Sequence, residues 1–138
     1  MVDVDFGPKS DGATALFQAA DQGFVEVVRF LVEEGKADVD KARTHTGATP
    51  LIMAVQNGHT EVVRFLVEEG KADVDKAGEH NITPVARASI DGRLEVVRVL
   101  LSGGADCSIK DSWGNKTPLE WAQQCGHAEV AAALAAGN

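Results

Sequence analysis

Seventeen residues occur twice in this chain without a single change. Glu26 to Ala42 reads EVVRFLVEEGKADVDKA, and Glu61 to Ala77 repeats it 35 positions later. Identity of that length at a fixed offset marks a tandem-repeat architecture, in which a small structural unit is copied along the chain. A fold built on one non-repeating core is thereby set aside.

Aligning the chain on this stretch yields four copies. Each opens on a short motif before an apolar run: Thr14-Ala15-Leu16, Thr49-Pro50-Leu51, Thr83-Pro84-Val85 and Thr117-Pro118-Leu119, at intervals of 35, 34 and 34. Nine residues beyond each Thr stands a glycine, at Gly23, Gly58, Gly92 and Gly126. A valine-rich segment follows, clear at Val27-Val28, Val62-Val63 and Val96-Val97 and weaker at Val130-Ala131. The first three copies close with Gly35 to Asp38, Gly70 to Asp73 and Gly104 to Asp106.

The second copy shows the physics of one unit most plainly. Thr49 can cap a helix by accepting a backbone N–H, and Pro50 suits the first helical position, where no N–H is needed. A short helix is expected from Pro50 to about Asn57, with Gly58 allowing a sharp turn. A second helix is expected from about Thr60 to Glu69, with Val62, Val63, Phe65 and Leu66 inward at three-to-four spacing. Gly70 is expected to end it as a C-cap. Lys71 to about Thr83 reads as a polar, hairpin-like connection. In the first copy the same rules predict helices over Ala15 to Gln22 and Val25 to Glu34. His59 and His127, next to the interhelix glycines, are read as caps of the second helices. One such helix pair is too small to bury its own apolar face, so the pairs must stack into a continuous core.

The whole pattern resembles the ankyrin repeat, whose period is about 33 residues and whose signature is Thr-Pro-Leu-His-x-Ala. The resemblance covers roughly residues 10 to 134. It implies an all-α, ankyrin-repeat solenoid: four stacked helix-turn-helix units with protruding hairpin-like loops. One domain over residues 1–138 is expected, with repeats at about 10–43, 44–77, 78–109 and 110–138. One departure is consistent, because the family's His is replaced by Phe17, Ile52, Ala86 and Glu120. The hydrogen bonds that His makes must be absent or replaced. Repeat 4 is read as carrying one extra residue, since Gly114 stands three positions before Thr117. Its alanine-rich second helix, expected over Ala128 to Ala136, reads as a C-terminal cap. In the lead before repeat 1, Val2, Val4 and Phe6 alternate with aspartates, and one of them is expected to cover the edge of that repeat.

Charge bounds the function. The net charge is -8, and residues 1–69 hold twelve acidic and six basic groups. Such a balance disfavours nucleic acid, whose binding is dominated by phosphate neutralisation, and would steer a partner with a basic surface. No apolar run approaches the length of a membrane span, and the first residues show no signal-peptide pattern. Cys107 and Cys125 are the only cysteines, too few for a disulfide framework, which points to a reducing compartment: the cytoplasm, or alternatively the nucleus. The histidines His45 and His80 sit one repeat apart at loop tips, without the three or four ligands that zinc requires. No catalytic constellation, metal or cofactor is expected.

What remains is a recognition surface. The resemblance implies partner contacts on a concave face made of loop tips and the ends of first helices. Repeat 1 contributes Asp11, Asp21 and Gln22, and repeat 2 contributes His45, Thr46, Gln56 and Asn57. Repeat 3 contributes Glu79, His80, Ile82, Ile90 and Asp91, with Arg87 beside them. Repeat 4 contributes Trp113, Asn115, Lys116 and Gln124. Trp113 either stands out as an interface anchor or folds back over repeat 4, and Ile82 either projects or packs on its neighbour; Trp121 is expected in the core. The chain therefore reads as a monomeric protein-protein interaction module or adaptor without catalysis. The alternative is a structural scaffold, or a fragment of a larger repeat protein, with no binding activity of its own.

Overall fold

The structure is a computed structural model that describes residues 14–137. Asp11 and the expected edge cover by Val2, Val4 or Phe6 lie outside the described residues. Eight α-helices follow one another in pairs. They are α1 (Ala15–Gln22) and α2 (Val25–Glu33), α3 (Pro50–Gln56) and α4 (Thr60–Glu68), α5 (Pro84–Asp91) and α6 (Leu94–Ser102), and α7 (Pro118–Gln124) and α8 (Ala128–Gly137).

The threonines start the first helices as expected. Thr14, Thr49, Thr83 and Thr117 accept through Oγ1 from the N–H of Phe17, Ile52, Ala86 and Glu120, at 3.1 to 3.2 Å. In repeat 4 the cap is reciprocal, because the Glu120 carboxylate accepts from the Thr117 N–H at 2.9 Å. Glu120 thus turns the position of the missing family His into a capping box. Phe17 and Ile52 replace it differently: with Ala48 they form a small apolar cluster of their own beneath the tips.

The first helices pack side by side in chain order, as do the second helices, and each pair packs internally. The result is a two-layer solenoid. Its core repeats in register: Leu16, Leu51 and Val85 from the first helices, then Leu31, Leu66, Leu100 and Leu134 from the second. Each such aliphatic side chain contributes about 1.5–3 kcal/mol on burial.

Three local expectations are corrected. Gly70 does not cap α4; Glu69 does, in right-handed geometry, and Lys71 takes the left-handed residue at φ 56°. Lys36 does the same after α2 at φ 57°. Repeat 4 has no extra residue. Gly47, Asn81 and Asn115, each two before its Thr, all adopt positive φ, so Asn115 is the in-register residue. Asn tolerates this region better than most side chains.

The third correction concerns His59 and His127. His59 makes no side-chain cap. Its Nε2 donates to the Asp21 carbonyl of the preceding repeat at 3.0 Å. His127 does the same to Ile90 at 3.0 Å, and the Arg93 guanidinium to Gln56 at 3.3 Å. Each side chain lies over a preceding glycine, where an added Cβ would come within 2.4 to 2.6 Å of it at Gly23, Gly58 and Gly92. These glycines serve close approach between repeats as well as the turn. The outer connections are also tied: the Asp73 N–H donates to Asp40 Oδ1 at 2.9 Å, and the Asp106 N–H to Asp75 Oδ1 at 2.8 Å.

Candidate protein-interaction face

The first-helix side carries a groove of about 290 Å³ between the tips of repeats 2 and 3. Ala48, Ile52, Met53 and Ile82 supply its apolar lining, while Arg43, Glu79, His80 and Arg87 supply its polar one. Thr46 and Gln56 complete it, so Thr46, Gln56, Glu79, His80, Ile82 and Arg87 from the expected strip converge there. Ile82 is buried and packs into the wall, so of its two expected placements the packed one holds. Arg43, Ile52 and Met53 were not among the expected contacts. For Ile52 the available signal was the loss of the family His, which makes that position apolar.

Beyond the groove the tips of repeats 3 and 4 are joined. His80 and Trp113 rings lie 6.4 Å apart, and Trp113 stacks on Trp121 at 5.5 Å. Trp113 is nonetheless 64% exposed. It neither folds away nor projects alone, but lies as a flat aromatic surface on its neighbour. Trp121 is buried, and its Nε1–H donates to Asp111 Oδ1 at 2.9 Å.

Asp111 is a residue that sequence reasoning missed. It is buried and also accepts from the N–H of Gly114 at 2.6 Å and of Lys116 at 3.0 Å. Burial by itself would raise its carboxyl; the bonds donated by Gly114, Lys116 and Trp121 outweigh that and hold it below the ordinary carboxylate range. The available signal was an Asp three residues before a Gly, the pattern of a side chain closing a turn. Lys116 completes this tip, with Nζ 5.1 Å from the Trp121 ring centroid.

The other expected residues are less closely gathered. Asn57 donates to Asp21 Oδ1 at 2.8 Å and to its carbonyl at 3.0 Å, joining repeats 1 and 2. Gln22 donates to the same aspartate at 3.3 Å. Asp91 lies 3.8 Å from Arg87 and 4.0 Å from Arg93. Both aspartates already have internal partners, so the strip is not a bare acidic stripe. Ile90 is half-buried, while His45, Asn115 and Gln124 are exposed and separate from the groove. Glu26 and Glu33 lie within 4 Å of Arg29, and Glu61 and Glu68 within 4 Å of Arg64, on the second-helix side. Such exposed pairs contribute a few tenths of a kcal/mol, or about 0.3–0.5 each.

Among the described residues, no group of three or more His, Cys, Asp or Glu is placed to hold a metal ion. None of the described helices is long and apolar enough to cross a membrane. The family model described as ankyrin repeats (3 copies) matches residues 1–77, 36–111 and 71–138, which together span the whole chain. The chain belongs to the ankyrin-repeat family. No curated protein matches it. Ankyrin-repeat folds serve as non-catalytic scaffolds for protein-protein interaction, and the paired-helix architecture here is of that kind. In this ankyrin-repeat chain the first-helix side carries an apolar groove with charged walls and, beside it, an exposed tryptophan stacked on a buried one.

Proposed function

We propose that the protein is an adaptor that binds a partner protein through the groove between repeats 2 and 3 and the adjoining Trp113 surface. The observation that carries this reading is an exposed indole beside an apolar groove with charged walls. Buried apolar contact inside a polar rim is the anatomy of protein interfaces, and tryptophan is prominent among their anchors. An apolar side chain of the partner would enter against Ile52 and Met53, while a flat part of it packs on Trp113. The overall charge of -8 favours a partner with a basic surface through long-range attraction. The remaining parts of the proposal are a monomeric state and a cytoplasmic or nuclear location, consistent with two free thiols at Cys107 and Cys125.

The test compares capture of partners from the source lysate by the parent protein, by Trp113→Ala with Met53→Asp, and by Glu61→Lys on the opposite side. Circular dichroism establishes that each variant is folded. A partner lost only with the groove variant supports the reading. A partner kept by it and lost with Glu61→Lys moves the interface to the second-helix side.

A further inference from the structure

Repeats 1 and 2 share the sequence of their second helices from Glu26 and Glu61 onward, yet their upstream faces differ in burial. Val27 is 47% exposed and Phe30 59%, whereas Val62 and Phe65, at the same register, are 0% and 3% exposed. The cover in repeat 2 is repeat 1. Helix α2 packs along α4, and the Arg29 guanidinium lies 4.7 Å from the Phe65 ring centroid. The same guanidinium binds Glu69 at 3.3 Å. One repeat earlier, Phe30 and Glu34 occupy the positions of Phe65 and Glu69. Phe24, also exposed, stands where His59, Arg93 and His127 reach into a preceding repeat. Phe24, Val27, Phe30 and Glu34 thus restate an interface that the molecule already makes between α2 and α4.

We infer that this face of repeat 1 is a docking surface for one further helix pair of the same repeat type, carrying an arginine in the register of Arg29. Charge and ring together call for that cation: Phe30 offers its face and Glu34 its carboxylate, as Phe65 and Glu69 do for Arg29. A second copy docking head to tail would present α8, which has Ala132 in the register of Arg29. That end supplies no guanidinium. The sequence ahead of repeat 1 fits an added pair. Val2-Asp3-Val4-Asp5 aligns with Ala37-Asp38-Val39-Asp40, and Gly12-Ala13-Thr14 with Gly47-Ala48-Thr49, both at the offset of 35. In repeats 1 and 2 that sequence follows a second helix, so a helix pair placed before Val2 would enter in register.

The experiment joins a copy of residues 14–36 directly to Val2 of the full chain. The extended protein is expected to melt higher by at least about 5 °C, because each stacked repeat adds an interface. Phe30→Ala is expected to lower its Tm by several times the drop seen in the unextended chain. Replacing the added copy's arginine by alanine is expected to remove part of the gain. An unchanged Tm, or an equal effect of Phe30→Ala in both proteins, overturns the inference. Sedimentation equilibrium of the unextended chain supplies a second measurement. A dimer dissociated by Phe30→Glu would identify a second copy as the occupant and overturn the assignment, whereas a monomer at all concentrations agrees with it.

Discussion

Trp121 and Asp111 are joined by a 2.9 Å hydrogen bond inside the tip of repeat 4, and on this bond the exposed aromatic surface rests. The bond fixes the buried indole, the indole supports Trp113 by stacking, and Trp113 presents its free face outward. The exposed aromatic surface is therefore held by a buried carboxylate.

Removing that carboxylate should disturb both tip and fold. Asp111→Ala leaves the Gly114 and Lys116 N–H groups and the indole N–H without their acceptor, at a cost of about 2–3 kcal/mol. Urea unfolding followed by tryptophan fluorescence measures it. The same group gives a pH dependence. Its folded-state pKa is depressed, so the unfolded chain binds its proton more tightly. Its contribution is present above the unfolded value of about 3.9 and is lost as the pH falls through the folded value. Acid unfolding should therefore lose part of its pH dependence below about pH 4 in Asp111→Asn.

Phe65 and Phe30 allow one chemical change to be made in two environments. Phe65→Ala empties a site packed against repeat 1 and should cost about 3 kcal/mol or more. Phe30→Ala, in the same local sequence, should stay within about 0.5 kcal/mol. Paired denaturation curves decide, and equal costs would refute the stacking asymmetry.

Lys71 occupies left-handed backbone that glycine adopts without penalty. An L side chain there costs about 1–2 kcal/mol, against about 0.5–1 kcal/mol for the extra chain entropy of glycine. Lys71→Gly should therefore raise stability, by up to about 1 kcal/mol. The position equivalent to Lys71 in repeat 3 is already Gly104, at φ 89°. A lower melting temperature for the variant would contradict this.

Gly92 combines positive φ with the His127 ring lying over it. Gly92→Ala strains the backbone by about 1–2 kcal/mol and displaces the ring that bonds Ile90 across the repeat boundary. Thermal melts should show the loss. Amide exchange should rise across α5 to α8 more than in α1 and α2.

Much of the fold was legible because its causes are local. A Thr hydroxyl caps the helix that begins beside it, Pro50 and Pro84 occupy the first turns, and the 34- to 35-residue period sets the number of pairs. The site was legible only in part. Thr46, Gln56, Glu79, His80 and Arg87 were expected on one strip and meet at one groove. Ile82 turns into its wall, and Asp21 and Asp91 satisfy neighbouring groups. Sequence position states where a backbone passes, not which neighbour has already engaged its side chain.

The identical segments Glu26–Ala42 and Glu61–Ala77 divide the two contributions. Sequence alone determined that both form the same helix followed by the same left-handed lysine, since those outcomes depend on residues within a few positions. It also determined that repeats must stack. Tertiary structure decided that Val62 and Phe65 are core while Val27 and Phe30 are surface. Burial belongs to the pair of surfaces in contact, and of these two repeats it is repeat 2 that has a described repeat on its upstream side. In the same way it decided that a buried aspartate, not an exposed one, orders the tip that carries Trp113.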